Sequence, residues 1–170
     1  LFNELIEQTY MMSIDTVVYK QFIDKLGMFN SRYNAYKYFD LNRIIPTEYD
    51  TIFRNQLIDG YVHDMGAAMQ GGVGGHAGLF SNTNDLAKIM QMYLQNGSYG
   101  GEFYLSEDVI KDFTKCQFPD DDNRRGAAFD KPALKNQEGG PASENASLNG
   151  FGHSGFTGTL VWADPDTKII

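Results

Sequence analysis

The sequence predicts an α+β fold in which helices dominate residues 1–115 and antiparallel strands dominate residues 116–170. Three observations support this. Apolar residues recur at helical spacing before residue 115, a glycine-rich loop interrupts them at residues 62–80, and the last part reads as short strands and turns. Helices and strands that are segregated along the chain favour α+β over alternating βαβ units. We expect one domain, whose helical region carries a glycine-rich cleft loop and whose sheet begins after residue 115.

Two helices are expected at the start of the chain. The first covers residues 2–10, where the apolar residues follow a weak helical spacing. The second begins after Ser13, a good N-cap residue, and ends near Gly27, which suits a C-terminal cap. Farther along, Pro46-Thr47-Glu48 predicts a turn into a short helix, and the glycines of residues 62–80 predict a loop that needs positive φ angles or close approach of the backbone.

The clearest helix follows residues 81–85. Asn82 and Asp85 form a cap-like pair at its start, and Gly97 closes it. Its apolar face has i, i+3, i+4, i+7, i+8 spacing and consists of Leu86, Ile89, Met90, Tyr93 and Leu94. A further helix is expected after Ser106.

Strands are expected toward the end of the chain. Residues 127–130 are a candidate strand, residues 134–149 are poor in hydrophobic residues and predict a loop, and residues 151–161 return to strand with Gly155 and Gly158 as interruptions. Both ends of the chain interrupt an apolar pattern, at Leu1 and at Ile170, so we interpret the chain as a fragment of a longer protein.

The composition argues against several classes of binding partner. Hydrophobic residues make up 42% of the 170 residues, which is typical of a folded globular chain. The net charge of −8 argues against nucleic acid and anionic membranes, and no apolar run is long enough for a transmembrane segment. A single cysteine, Cys116, excludes an internal disulfide, and no motif indicates a cofactor.

The most informative segment is Gly152-His153-Ser154-Gly155-Phe156-Thr157-Gly158. A polar residue followed by Ser or Thr and then Gly, at the entry to an apolar strand, resembles one wall of the active site in beta-lactamase-related serine hydrolases. These include class C beta-lactamases, D-alanyl-D-alanine carboxypeptidases and related esterases. Two further segments resemble the same family in the same order, namely residues 74–86, with Gly78-Leu79-Phe80-Ser81 and Asp85-Leu86, and Leu26-Gly27-Met28. The resemblance implies a beta-lactamase/transpeptidase-like fold.

The family's nucleophile motif is missing from this chain. No serine has a lysine three residues later, as Ser-x-x-Lys requires. Ser143-Glu144-Asn145 matches the second family motif only formally, since it lies in a polar loop ten residues before His153. We therefore expect the nucleophile to lie outside this chain and the chain alone to be inactive.

The resemblance implies roles for six residues. His153, Ser154, Gly155 and Phe156 would form the catalytic wall, with the Phe156 N–H as one oxyanion donor and Gly155 allowing close approach of the substrate. A histidine at 153, where lysine is more usual, would make the local charge depend on pH near neutrality. His76 and Thr157 are assigned to substrate binding, and His76 has loop packing as its alternative role.

Other hypotheses stay open from the sequence. His63, Asp64, His76 and His153 could supply a zinc site, although no metal-binding spacing is present, so we predict no metal. His63 and Asp64 could instead form a structural hydrogen-bonded pair. The domain could also be a catalytically degenerate homologue that binds cell-wall peptide or carbohydrate. Family resemblance implies a small-molecule or peptidoglycan-like substrate, a location in the periplasm or cell envelope, and a possible fusion to a glycoside hydrolase domain.

Overall fold

The structure, a computed structural model, describes residues 1–134 and 139–170. Residues 135–138 of the predicted polar loop lie outside the described part. The chain divides into two compact units, Leu1–Asp85 and Leu86–Ile170. Helices and short antiparallel strand pairs make up both units, which confirms the α+β class. The predicted division at residue 115 stays a prediction.

The first unit begins with the two expected helices. Helix α1 covers Phe2–Tyr10, and α2 covers Ile14–Val18 and continues as a π-helical turn over Tyr19–Ile23. Gly27 ends this segment with φ 65°, as predicted, and the Met28 N–H returns to the Ile23 carbonyl at 2.8 Å. The buried apolar residues of the unit come mainly from these turns and the following loops: Ile14, Val17, Ile23, Leu26, Met28, Ala35, Ile58, Val62 and Ala67.

Short elements fill the rest of the first unit. Strand β1 is Arg32–Tyr33, and it is followed by 3₁₀ turns at Ala35–Lys37 and Leu41–Arg43. Strands β2 (Glu48–Asp50) and β3 (Gln56–Ile58) form an antiparallel pair, α3 is Met65–Met69, and β4 (Leu79–Phe80) pairs with β1.

The short helix expected after Pro46 is therefore wrong, because residues 48–50 form strand β2. The structural reason is the turn that follows. The buried carboxylate of Asp50 accepts hydrogen bonds from the N–H groups of Ile52 and Phe53, both at 2.9 Å, and from the Arg54 Nε at 2.8 Å. These bonds hold the pKa of Asp50 well below its ordinary range. The carboxylate thus closes a loop between two strands where the local pattern indicated a helix start.

Helix α4, Thr83–Leu94, begins as the cap pattern predicted. The Asn82 side-chain oxygen accepts the Asp85 N–H at 2.8 Å. The buried Asp85 carboxylate in turn accepts the Ser31 hydroxyl at 3.0 Å and the Asn30 N–H at 2.8 Å. The start of α4 is therefore joined to the segment before β1 by charge-assisted hydrogen bonds.

The second unit continues α4 and ends in a hairpin. Gly97 closes α4 with φ 93°, β5 (Ser98–Tyr99) pairs with β6 (Glu102–Phe103), and α5 covers Glu107–Thr114 with Ser106 as its N-cap. A 3₁₀ turn, Pro119–Asp121, leads to the last pair, β7 (Phe151–Ser154) and β8 (Leu160–Ala163). Residues 127–130, expected as a strand, form only a single bridge between Asp130 and Gly152. Within the described residues, no helix is long and apolar enough to cross a membrane.

Candidate active site

The candidate catalytic segment lies at the end of the β7–β8 hairpin. Strand β7 pairs with β8 in the register His153 with Val161 and Ser154 with Leu160. The turn is closed by two backbone hydrogen bonds, from the Gly155 N–H to the Thr159 carbonyl at 2.7 Å and from the Gly158 N–H to the Gly155 carbonyl at 3.1 Å. The hairpin therefore presents residues 153–157 together at its tip.

The base of the hairpin is buried. Phe151 is 2% exposed, belongs to a cluster with Met90, Leu94 and Ala163, and makes an edge-to-face contact with Phe129 at 5.2 Å between ring centroids. Phe151 also meets Tyr93 edge-on at 6.2 Å. This packing fixes the position of the inner end of β7, from which the outer end extends.

Gly152 is bonded on both sides. Its N–H and carbonyl exchange hydrogen bonds with the backbone of Asp130 at 3.1 and 2.7 Å, while its other edge faces Trp162 of β8. A Cβ at this position would overlap the Val161 carbonyl oxygen and lie 2.9 Å from the Trp162 Cα. Only glycine fits here, because these two atoms are backbone and the Cε3 atom of the Trp162 ring would lie 2.5 Å from the new Cβ. The Asp130 carboxylate is itself held by Arg124, with its Nε 2.9 Å from Oδ1.

The outer end of the hairpin is exposed. His153, Ser154, Phe156 and Thr157 are all solvent-accessible, and Phe156 is 90% exposed. His153 Nδ1 lies 2.7 Å from the Ser154 carbonyl oxygen. Since a carbonyl only accepts, Nδ1 carries the proton in this contact, and in the neutral ring Nε2 is the basic nitrogen. The backbone contact therefore engages Nδ1 and leaves Nε2 as the potential proton acceptor.

The structure adds detail to the sequence expectations for Gly155 and Phe156. Strand β7 ends at Ser154, so Phe156 lies in the turn and not inside a strand. A Cβ at Gly155 would collide with the Thr159 hydroxyl, so a larger residue at this position would require the Thr159 side chain to move.

His76 belongs to the first unit and lies in the glycine-rich loop. Its Nε2 is 2.9 Å from Oδ1 of Asp64, which also caps α3 by accepting the Ala67 N–H at 2.7 Å. The Ala67 bond and then the His76 contact lower the pKa of Asp64. Among the described residues, His76 Nδ1 makes no hydrogen bond, so half-exposed His76 keeps one ring nitrogen available.

The expected pairing of His63 with Asp64 is replaced by two other pairs. His63 Nε2 lies 2.8 Å from Glu48 Oε1 of strand β2, whereas the Asp64 carboxylate is engaged by Ala67 and His76. Asp64 is the N-cap of α3, so its carboxylate is directed to the first turn of that helix. Within residues 1–134 and 139–170, no three His, Cys, Asp or Glu side chains come together as metal ligands.

Sequence reasoning missed the side chains that hold the glycine-rich loop. The Asn3 side-chain oxygen accepts the Gly75 N–H at 3.0 Å, the Tyr33 hydroxyl donates to the Gly74 carbonyl at 3.1 Å, and the Asn34 amide donates to the Gly71 carbonyl at 3.0 Å. These partners are 37 to 72 residues apart in the chain, so no local pattern could have indicated them. The positive φ angles of Gly71, Gly72 and Gly78 agree with the predicted loop, whereas residues 65–69 and 79–80 of the same segment form α3 and β4.

Comparison with known proteins decides the family. The family model described as "Beta-lactamase" matches residues 1–170. A protein of Escherichia coli O157:H7 named "Putative D-alanyl-D-alanine carboxypeptidase" is 32% identical over 177 residues, which cover 97% of this chain and 40% of the relative. A protein of the same name from Salmonella paratyphi B is 34% identical over 179 residues, covering 95% of this chain and 39% of the relative.

The chain belongs to the beta-lactamase family. The resemblance inferred from its motifs is thereby confirmed, as a member of the beta-lactamase-related serine hydrolases. The octameric penicillin-binding protein homologue from Pyrococcus abyssi has a similar fold, with a TM-score of 0.58 and 18% identity over 98% of this chain and 34% of that chain. The chain thus spans about 40% of the length of the curated beta-lactamase-family relatives that it matches.

Proposed function

We propose that the protein to which this chain belongs is a serine hydrolase that cleaves an amide, lactam or ester through an acyl-enzyme. The observation that carries this is the exposed tip of the β7–β8 hairpin, where His153 and Ser154 lie on an anchored strand in the segment that resembles one wall of the family's active site. Membership of the beta-lactamase family and the carboxypeptidase names of the relatives support the same reaction class.

In the proposed mechanism, a serine outside this chain attacks the substrate carbonyl carbon. The bond from carbon to the leaving nitrogen or oxygen breaks, the leaving group takes up a proton, and an ester to the serine remains. Water then adds to that ester and releases the acid and the free serine. This chain contains no Ser-x-x-Lys, so its contribution is one wall of the cleft and it is inactive alone.

We assign the wall residues by role. The Phe156 N–H stabilises the oxyanion, Ser154 hydrogen-bonds a carboxylate or amide of the substrate, and His153 Nε2 assists proton transfer. Gly155 leaves space for the acyl group, and Thr157 contacts the substrate. For His76, which belongs to the first unit, we propose a substrate-binding role on separate grounds. An intact Asp64–His76 pair supports a substrate role for His76, because the carboxylate orients the ring and leaves Nδ1 for a partner.

We also propose the setting of the enzyme. The carboxypeptidase names of the relatives favour a peptidoglycan-like substrate, and hence a location in the periplasm or cell envelope. The present chain is proposed to be a fragment of a longer protein. Fusion to a glycoside hydrolase domain is proposed from the motif resemblance alone.

The test is covalent labelling of the natural full-length protein with a fluorophosphonate probe, followed by intact mass and peptide mapping. We expect the mass of one probe on a serine outside residues 1–170. Labelling of a serine within residues 1–170 would contradict the assignment of the nucleophile. Complete absence of labelling would contradict the hydrolase and favour a catalytically degenerate protein that binds cell-wall peptide or carbohydrate.

Matched variants test the proposed role of the catalytic wall, residues 153–156. Ser154→Ala should slow acylation about tenfold to a hundredfold, the loss expected for one hydrogen bond to a charged group. Ser143→Ala is the control, since Ser143 is exposed and its hydroxyl accepts the Asn145 N–H at 3.2 Å within a local turn. Equal acylation rates for the two variants would remove Ser154 from the site.

A further inference from the structure

A cavity lies in the first unit, formed by α2, the π-helical turn, β1 and the segment after β1. Its volume is about 230 Å³, and its walls include Asp15, Tyr19, Arg32, Tyr33 and Tyr38. Three tyrosines around an arginine and an aspartate make a wall that is aromatic and carries both charges. None of these residues has a role in the proposed hydrolysis.

Arg32 lies beside two tyrosine rings of this cavity. Its Nη1 donates to the Ser31 carbonyl at 2.7 Å, and its guanidinium carbon lies 4.2 Å from the centroid of the Tyr19 ring and 5.6 Å from that of Tyr38. Among the described residues, no carboxylate pairs with Arg32, whereas Arg54 pairs with Asp50 at 2.8 Å. A guanidinium has five N–H donors, so a fork of donors stays open to a planar anion.

Asp15 supplies the opposite charge on the same cavity. Its carboxylate accepts the Thr16 N–H at 2.8 Å, and the charge is close enough to Tyr33 to add to the effect of burial in raising the pKa of that phenol. Asp15 and Arg32 line the cavity together, yet among the described residues they form no ion pair with each other. Two unpaired opposite charges across a small space fit a ligand that carries both complementary charges.

We propose that this cavity binds a free α-amino acid, with the carboxylate on Arg32, the ammonium on Asp15 and the side chain against the tyrosine rings. The size of the cavity favours a ligand this small, because pockets for drug-sized molecules have about 300–1,000 Å³. Arginine forks bind carboxylates in a bidentate way, and stacking on the Tyr19 ring holds the fork in place before the ligand arrives. The proposal is independent of the hydrolase.

Calorimetric titration of the full-length protein, with and without prior treatment with the fluorophosphonate probe, tests the proposal. The probes are the D and L forms of alanine and phenylalanine, together with propionate and 3-phenylpropionate, which lack the amino group, and ethylamine and phenethylamine, which lack the carboxylate. We expect an amino acid to bind and each matched analogue to bind at least about tenfold more weakly. The blocked nucleophile separates this site from the hydrolytic one.

Variants locate the site. Arg32→Gln and Asp15→Asn should each weaken binding about tenfold or more, while Arg43→Gln, which removes an arginine stacked on Phe39 outside the cavity, should leave it unchanged. Asp15→Asn keeps the shape of the side chain, so it decides the question if Arg32→Gln does not fold by circular dichroism. The proposal is overturned if no amino acid binds at about 10 mM, if the analogues bind equally well, or if Asp15→Asn binds like the parent.

Discussion

Truncation of Phe151 should detach the hairpin that carries the candidate site. Phe151 is 2% exposed and touches Phe129 and Tyr93 edge-on at 5.2 and 6.2 Å. Phe→Ala in a core costs about 3–5 kcal/mol through lost burial and the cavity that remains. The two aromatic contacts, at about 0.5–1.5 kcal/mol each, place Phe151→Ala in the middle of that range, near about 4 kcal/mol. Phe151→Leu, which retains most of the volume, should cost about 1.5 kcal/mol.

The assay is amide hydrogen exchange of β7 and β8 in the full-length protein, because exchange reports the free energy of local opening. Phe103→Ala is the matched control, since Phe103 is 71% exposed and its loss should change stability by no more than about 0.5 kcal/mol. A loss below about 1 kcal/mol for Phe151→Ala, or a loss equal to that of the control, would refute the view that Phe151 anchors the site.

Three more changes have expected outcomes. Gly152→Ala should open the β7–β8 pairing, because the new Cβ overlaps the Val161 carbonyl. The free energy of local opening of these amides, measured by hydrogen exchange, should fall by about 1–3 kcal/mol. Asn82→Ala should destabilise the start of α4 by about 1 kcal/mol, since the Asp85 N–H loses its cap, and exchange of the first-turn amides measures this. Asp64 has a folded-state pKa below its ordinary value of 3.8, so its contribution to stability is complete above about pH 4 and is lost as the pH falls through the folded-state pKa. Asp64→Asn should therefore reduce the fall in Tm between about pH 6 and pH 2.

Each of these changes has a control of the same chemical type. Gly100→Ala places a Cβ in open space and should cost only the roughly 1 kcal/mol of its left-handed backbone, with φ 62°. Asn84→Ala removes an exposed asparagine inside the same helix turn and should be neutral or slightly stabilising. Asp120→Asn removes an exposed carboxylate and should leave the acid dependence of Tm unchanged. Equal effects of a variant and its control would contradict the corresponding argument.

Local signals predicted the elements whose causes are local. The Asn82 cap and Gly97 bound α4 as expected, because the bonds of a helix end reach only three or four residues along the chain. The hairpin strand at residues 151–154 was expected from its apolar pattern and glycines. Strand β2 was mistaken for a helix start, since its partner strand and the Asp50 turn come later in the chain.

The candidate site also has features that the local sequence predicted and features that it did not. The order of motifs was enough to indicate the family, and it grouped His153, Ser154, Gly155, Phe156 and Thr157 because they are consecutive. The partners of Asp64 and His63 were not foreseeable from spacing, because His76 lies 12 residues from Asp64 and the loop that joins them has to fold back.

By itself, the sequence determined the fold class, the limits of α1 and α4 and the resemblance to the family, since these depend on side-chain periodicity, caps and the order of motifs. Only the tertiary structure decided that Gly152 is enclosed by backbone on both sides, that Phe151 anchors the hairpin, and that Arg32 faces a cavity without a carboxylate partner among the described residues. These properties arise from contacts between segments distant in the chain, and such contacts leave no periodic trace in the residues that make them.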